Sequence, residues 1–152
     1  MDTATTIFTP STTYVLSDLN VPVQRELPWG DQECDAFVVI LDPELMSKKV
    51  AEEISLSLVR LHTDWIETMG KKAEFLHDLI DTTSVSVRRQ DKVGDGSPMT
   101  AWHEDRQRMS DILEYLRLGG HGASRNKLIV VIGPEEVRSE LVQGLRRVTI
   151  SA

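Results

Sequence analysis

The stretch Phe37-Val38-Val39-Ile40-Leu41 is apolar at every position, and Leu128-Ile129-Val130-Val131-Ile132 repeats that pattern near the other end of the chain. Each stretch has the length of one strand and is followed by a turn that contains a proline and an acidic residue. A strand that is apolar on both faces needs helices above and below it, as in the parallel sheet of an α/β domain. The two stretches therefore predict the fold class.

Hydrophobic periodicity predicts the elements around these two strands. A helix begins at Asp42 and Pro43, because both residue types favour a helix start, and its apolar residues then recur every three or four positions. Residues 84–88 fit a half-exposed strand or a loop equally well. The other predicted strands are residues 14–16, 65–69, 99–102 and 148–150. For residues 63–69 a continuation of the first helix is the alternative, and the strand is preferred. The other predicted helices are residues 71–80, the stretch after Glu104 or Asp105, and the stretch after Pro134.

Strands and helices thus alternate along the chain. Alternation of this kind predicts a three-layer α/β/α sandwich, Rossmann-like or flavodoxin-like, with a largely parallel sheet of about four or five strands. Residues 1–13 are predicted to be a flexible tail and residues 14–152 a single α/β domain, in which residues 14–35 form an acidic N-terminal extension. Ligands of such sheets bind beyond the carboxyl ends of the strands, so the turns that follow the strands are the expected place for a site.

Composition excludes several classes of protein. The 152 residues carry a formal charge of −7, which argues against binding to nucleic acid or to an anionic membrane surface. Cys34 is the single cysteine, so an internal disulfide is excluded. The N-terminal residues lack the basic and apolar regions of a secretory signal, and no apolar stretch approaches the roughly 20 residues that span a bilayer. We therefore expect a cytoplasmic protein.

Acidic residues are concentrated in the N-terminal extension. Residues 1–36 contain six acidic residues against one basic residue, Arg25. Carboxylates beside an exposed tryptophan would attract another protein with a basic surface and give it an aromatic anchor. The competing interpretation is a solvated connection whose tryptophan packs onto the core. The predicted partner-binding residues are Glu26, Trp29, Asp31, Glu33 and Asp35.

Three strand-to-helix turns are acidic and indicate a different chemistry. If the first and third predicted strands are neighbours, Asp42, His103 and Asp105 could bind Mg²⁺ or another divalent cation, since carboxylates suit Mg²⁺ and imidazole suits transition metals. The candidate catalytic residues are His103, as an acid or base, with Glu104 and Asp105; Glu135 lies in the third turn. The competing interpretation is that these acids cap free N–H groups and complement the helix dipole.

No nucleophile accompanies His103. The sequence lacks the nucleophile elbow, the zinc-protease motif, the phosphate-binding loop and the dinucleotide fingerprint. Gly119-Gly120-His121-Gly122-Ala123-Ser124 precedes a strand instead of opening a helix, so we interpret it as a helix C-cap followed by a flexible loop. His62 and His77 are interpreted as surface or packing residues.

The string Pro98-Met99-Thr100-Ala101-Trp102-His103-Glu104-Asp105, followed by an apolar helix and a buried strand, resembles an uncharacterised group of small acidic bacterial proteins. Members of that group carry a strand that ends in Met-Thr-Thr-Trp-His and two acidic residues; here Ala101 replaces the second threonine. The resemblance covers residues 14–133 and implies a bacterial origin and a shared α/β fold. It implies no catalytic role.

Because no catalytic set is complete, the leading hypothesis is a non-enzymatic protein-binding module. Such an immunity-like or accessory protein would bind its partner through the acidic N-terminal segment and would need no cofactor. The alternative is a metal-dependent enzyme or nucleotide-binding domain that uses the acidic turns. The sequence leaves the oligomeric state open, and a homo-oligomer is compatible with it.

Overall fold

A computed structural model describes residues 4–91 and 98–151, and in it the chain forms an α/β fold. Short 3-10 helices at Gln24–Glu26 and Pro43–Leu45 supplement the main elements. The strands are β1 (Thr5–Phe8), β2 (Thr13–Ser17), β3 (Cys34–Ile40), β4 (Thr63–Gly70), β5 (Met99–His103) and β6 (Asn126–Ile132). The helices are α1 (Lys48–Arg60), α2 (Ala73–Asp91), α3 (Met109–Leu118) and α4 (Glu135–Ser151).

The strands form one six-stranded sheet in the order β1-β2-β6-β3-β4-β5. Only the pairing of β1 with β2 is antiparallel within the described residues. β3 and β6 are neighbours at the centre and are buried at every position, which confirms the prediction from their apolar runs. The sheet thus has more than the four or five strands expected, and the parallel strands from β3 onward lie in the order β5-β4-β3-β6.

Two clusters of buried side chains lie on opposite faces of this sheet. Successive residues of β3 alternate between them, with Val38 in one cluster and Phe37 in the other. The first cluster contains Leu58 of α1 and Ile80 of α2, and the second contains residues of α3 and α4. Because each fully buried aliphatic side chain contributes about 1.5–3 kcal/mol, these clusters hold the helices on the sheet.

A segment predicted as strand or loop, residues 84–88, and a predicted strand, residues 148–150, are both helical in the structure, so those predictions were wrong. Residues 84–88 belong to α2, which continues past the predicted end at residue 80 as far as Asp91. Residues 148–150 belong to the last turns of α4. In both cases the chain contains neither proline nor glycine that would stop the helix, and each residue added to an existing helix gains a hydrogen bond without a new nucleation step.

The N-terminal region takes a larger part in the fold than expected. The segment predicted as a flexible tail contributes β1, which pairs with β2. As a result β1, and not β2, is the edge strand of the sheet. In the predicted extension, Leu16 and Leu27 are buried in the core. Removing this region would therefore remove part of the sheet. In the part of the chain that the structure describes, no helix combines the length and apolarity that crossing a membrane requires.

Candidate metal centre

Glu67 is a fully buried carboxylate in the middle of β4. It is paired in register with Phe37 of β3 and lies on the face of the sheet that α3 and α4 cover. Removing a charged carboxylate from water costs several kcal/mol unless other groups compensate for the lost hydration. The groups around Glu67 therefore decide what this part of the molecule does.

Three side chains from three other segments meet one oxygen of Glu67. His103 Nε2 lies 3.0 Å from Glu67 Oε1, and His121 Nδ1 lies 2.8 Å from the same atom. The Tyr115 hydroxyl also donates to Oε1 and lies 2.6 Å from His121 Nδ1. The second oxygen, Oε2, accepts the backbone N–H of His121 at 3.0 Å. Both oxygens of the buried carboxylate thus have hydrogen-bond partners.

The sheet and α3 position two of these side chains. β5 lies beside β4, where the small Ala101 is opposite Glu67 and His103 is opposite Met69. Tyr115 projects from α3 and packs edge-on against Phe37, with ring centroids 6.5 Å apart. The pairing of β4 with β5 therefore brings together residues that are 36 positions apart in the chain.

The loop between α3 and β6 supplies His121. Gly119 ends α3 in the left-handed conformation, with φ of 88°, so the predicted C-cap is confirmed. Gly120 is also left-handed, and a Cβ atom there would overlap Glu67 Oε2 and the ring of Phe37. The two glycines therefore let the backbone N–H of His121 approach the carboxylate. The segment interpreted from sequence as a flexible connecting loop is therefore part of the site.

Stacking of aromatic rings fixes the orientation of His121. Its imidazole lies between the indole of Trp65, at 5.4 Å and 18° between the planes, and the imidazole of His103, at 5.7 Å and 8°. This arrangement turns Nδ1 towards Glu67. The side chain of His103 is 17% exposed and that of His121 is 50% exposed, so the cluster opens to solvent beside His121.

Hydrogen bonding outweighs burial in the electrostatics of the carboxylate. Burial raises the pKa of Glu67, and hydrogen bonds from Tyr115, His121 and His103 lower it. The hydrogen bonds together have the larger effect, so the pKa lies below its usual value. Burial and the neighbouring Glu67 raise the pKa of Tyr115, so this phenol stays protonated and serves as a donor. At neutral pH the carboxyl group of Glu67 is therefore ionised and the phenol of Tyr115 is neutral.

The donor atoms fit a transition-metal ion. Within the described residues, Glu67, His103 and His121 form the only group of potential ligands whose donor atoms all lie within 4.8 Å of one another. Ligands of tetrahedral Zn²⁺ bound at 2.0–2.2 Å are about 3.3 Å apart, so each of the two distances to Glu67 Oε1 would lengthen by only a few tenths of an ångström around the ion. Two histidines and one carboxylate form a common ligand set of catalytic zinc and non-haem iron sites.

Most residues predicted from the acidic turns lie elsewhere. β4 separates β3 from β5, so the strands that precede Asp42 and His103 are not neighbours as that hypothesis required. Asp42 accepts the N–H of Glu44 at 3.1 Å as an N-cap. Glu104 accepts the N–H of Glu74 at 3.2 Å, at the start of α2. Asp105 is exposed, and of the predicted residues only His103 joins the cluster.

A cleft does occur at the carboxyl ends of β2 and β6, where ligands of parallel sheets are expected. It has a volume of about 210 Å³ and is lined by Asp18, Gly133, Glu135 and Arg138. The candidate metal ligands are not part of this lining. The cluster around Glu67 instead lies on the face of the sheet.

The predicted partner-binding residues divide into buried and exposed ones. Trp29 is only 8% exposed and packs in the core with Leu27, so it is not the exposed anchor that the hypothesis assumed. Asp35 is fully buried and pairs with Lys127 at 2.6 Å, so it is no surface charge either. Both are inside because β3 begins at Cys34 and the segment before it folds back onto the sheet. Glu26, Asp31 and Glu33 are exposed.

Sequence reasoning missed Glu67, Tyr115 and His121. One available signal was an acid within a strand that was predicted to have helices on both sides, since such an acid needs a compensating partner. A second signal was a histidine directly after two glycines. Neither signal names the other members of the cluster, because they come together only through the strand order.

A comparison with curated proteins finds none that matches this chain. A family model described as a domain of unknown function, DUF7684, matches residues 16–147 and so includes the whole cluster. This agrees with the resemblance to an uncharacterised group. The chain belongs to this family, the domain of unknown function DUF7684.

Proposed function

We propose that this protein binds a divalent transition-metal ion, with Zn²⁺ as the best fit, through Glu67, His103 and His121. The observation that carries the proposal is the convergence of both imidazoles on one buried carboxylate oxygen, at 2.8 and 3.0 Å. Each of the three side chains can offer a lone pair to the same small volume, the two imidazoles when their proton is on the other ring nitrogen. A metal ion there would compensate for the buried charge of Glu67 and would link β4, β5 and the α3–β6 loop.

The arrangement supports a reactive centre more than a purely structural one. Structural zinc sites have four protein ligands, whereas catalytic sites have three and leave one position to water. Here three side chains are available, and the half-exposed His121 gives solvent access to the remaining position. A zinc ion lowers the pKa of its bound water to about 7, which makes hydroxide available for hydrolysis. Tyr115 orients Glu67 by donating to it.

Equilibrium binding of Zn²⁺, measured by competition with a chromophoric chelator, tests the proposal. We expect the wild type to bind a single ion, and Glu67→Gln, His103→Ala and His121→Ala each to weaken binding at least about 100-fold, since the first removes the charge of the anionic ligand and the other two each remove a direct ligand. His62→Ala is the matched control, because His62 also faces a carboxylate, that of Glu33 at 3.4 Å, but at an exposed position. It should bind like the wild type.

Unfolding experiments give a second, independent measure. A ligand at 100 times its Kd stabilises the folded state by about 2.7 kcal/mol, so Zn²⁺ should stabilise the wild type and His62→Ala but not Glu67→Gln. Equal affinity in all variants would place the ion elsewhere. Failure of the wild type to bind Zn²⁺, Co²⁺ or Fe²⁺ would show that the cluster is a hydrogen-bond network only.

Binding of a basic protein partner through the acidic N-terminal segment stays a separate proposal, which now rests on Glu26, Asp31 and Glu33. Deleting the segment is an unsuitable test, because the deletion would remove β1 and β2 from the sheet. Reversing the three exposed charges leaves the strands intact. A partner captured from the cell extract by the wild type should then be lost.

We also propose a three-layer α/β/α arrangement, supported by the core clusters on the two faces of the sheet. A bacterial origin is proposed from the resemblance of the Trp102-His103-Glu104-Asp105 string. A cytoplasmic location is proposed from the lone cysteine. Burial raises the pKa of the Cys34 thiol to about 12, so it should persist there as an unreactive thiol.

A further inference from the structure

Arg106 is a half-buried cation beside the candidate metal centre. It follows β5, three residues after His103, and its Cζ atom lies 4.4 Å from the centre of the Tyr115 ring. The same tyrosine donates its hydroxyl to Glu67. A guanidinium group that stacks on an aromatic face keeps its N–H groups, which point outward in its own plane, free for other acceptors.

No carboxylate that the structure describes forms an ion pair with this cation. Among the side chains that the structure describes, none of the ion pairs includes Arg106. Of the two acids that precede it, Glu104 is bonded to the start of α2 and Asp105 is exposed. Arginine is the side chain best suited to bind carboxylate or phosphate in a bidentate manner. The position of Arg106 therefore fits recognition of an anion from outside the chain.

The charge of the centre leads to the same conclusion. Metal-bound histidines are neutral, and the single carboxylate of Glu67 cancels only half the charge of a divalent ion. Arg106 adds a further positive charge next to it. The loaded site would thus be a small positive region in a protein whose formal charge is −7. An electrically neutral ligand would leave this excess uncompensated, whereas an anion would balance it.

We propose that the ligand of this centre is a small oxyanion, in the form of a carboxylate or phosphate group. One of its oxygens would take the open coordination position, and another would accept hydrogen bonds from Arg106. The inference rests on the proposed metal centre and deepens it by naming the class of substrate. Entry is from the side of His121, whose side chain is half exposed.

The test uses the full chain loaded with Co²⁺, because the visible absorption of this ion responds to a change of ligand. Titrations with inorganic phosphate and with acetate at constant ionic strength distinguish the two oxyanion classes. We expect saturable binding of at least one of them, with a shift of the visible bands. Arg106→Gln should weaken that binding at least about tenfold, and Arg106→Lys should restore part of it, because lysine keeps the charge but loses the bidentate geometry.

Arg108→Gln is the matched control, since Arg108 is exposed and lies two residues away at the start of α3. It removes the same charge and should leave anion binding unchanged. Equal loss in both variants would indicate general electrostatics and overturn the assignment of Arg106. Metal binding without any response to phosphate or acetate would overturn this inference and leave the proposed function intact. If the wild type bound none of Co²⁺, Zn²⁺ and Fe²⁺, both proposals would be overturned.

Discussion

Asp35 and Glu67 are two buried carboxylates on neighbouring strands, and the loop of residues 119–124 covers both. At Gly120 a Cβ atom would overlap Glu67, and at Gly122 it would overlap Asp35. Each carboxylate also accepts one backbone N–H from this loop, at 3.0 Å for Glu67 and 3.1 Å for Asp35. The backbone of the loop therefore contacts the two carboxylates in the same way, and only the side chains around them differ.

The partners of Asp35 form a closed ion pair. Lys127 donates to Asp35 at 2.6 Å, to the carbonyl of Gly119 at 2.9 Å and to the carbonyl of Gly122 at 3.3 Å. All three protons of its ammonium group are used, and the lysine is 4% exposed. Glu67 faces two imidazoles and a phenol instead, with an opening to solvent. One carboxylate is neutralised within the chain, and the other has the surroundings of a cation site.

The pKa values of the two acids shift in opposite directions. Burial raises the pKa of Asp35 above its usual value despite the ammonium group of Lys127, and its Oδ1 atom has no hydrogen-bond partner among the described residues. Burial acts in the same direction on Glu67, but the hydrogen bonds around it reverse the outcome. The two pKa values differ mainly because more hydrogen-bond donors surround Glu67 than Asp35, and less because of how deeply each group is buried.

The largest expected effect breaks the closed pair. Lys127→Met should lower the free energy of unfolding by about 3–5 kcal/mol, because it leaves Asp35 buried without a counter-charge. Chemical denaturation measures this loss, and Lys48→Met, at an exposed lysine of α1, is the control. The double change Asp35→Leu and Lys127→Met should recover most of the stability. A loss below about 1 kcal/mol for Lys127→Met would mean that Asp35 is hydrated in solution.

The next effect concerns the loop above Glu67. Gly120→Ala should cost about 1–2 kcal/mol for its left-handed backbone and about 1–3 kcal/mol more for the overlap with Glu67 and Phe37. Gly30→Ala provides the matched control, because Gly30 has a similar φ of +58° with no atom within 4 Å of the added carbon. Thermal unfolding compares the two. Equal losses would show that the loop does not press on the carboxylate.

The smallest effect is a pair of opposite pH dependences in metal-free protein. The pKa of Glu67 is lower in the folded state than its usual value of 4.5, so ionised Glu67 stabilises the fold when the pH is above 4.5. This contribution is lost as the pH falls through the pKa of the folded state. The stability difference between wild type and Glu67→Gln should therefore shrink towards low pH. The pKa of Asp35 is raised in the folded state, so its effect on stability has the opposite pH dependence. The stability difference between wild type and Asp35→Asn should therefore shrink as the pH rises above 3.8.

Denaturation curves across this acidic range measure both differences. Slopes of the same sign would contradict the assignment of the two environments. Glu53→Gln, at an exposed position of α1, is the control and should show little slope.

The fold was predictable where burial leaves a local pattern. β3 and β6 are covered on both faces, so their sequences are uninterrupted apolar runs. Pro134 correctly marked the start of α4, whereas Asp42 caps only the short 3-10 helix Pro43–Leu45, and α1 begins later than predicted, at Lys48 after the N-cap Ser47. The strand order was not predictable, because a crossover leaves no mark on the residues that it joins. The helical ends of α2 and α4 were missed because short apolar segments fit either period.

The candidate site depends on that order and was therefore predicted only at His103. Its correct partners are 36 residues earlier, at Glu67, and 18 residues later, at His121. Asp42 was a reasonable candidate only if β3 lay beside β5, and β4 occupies that position. Trp29 and Asp35 looked like surface residues because a run of acids surrounds them. Their burial follows from tertiary packing that composition does not record.

The stacking of Trp65 on His121 also gives the protein an optical property. Indole emission responds to the ring in contact with it, and these two rings lie 5.4 Å apart and nearly parallel. Any event that reorients the imidazole, whether an ion arrives or the loop lifts, changes the surroundings of this fluorophore. Trp29 and Trp102 lie in other surroundings, one in the core and one beside His77. The chain can thus report the state of its loop without an attached dye.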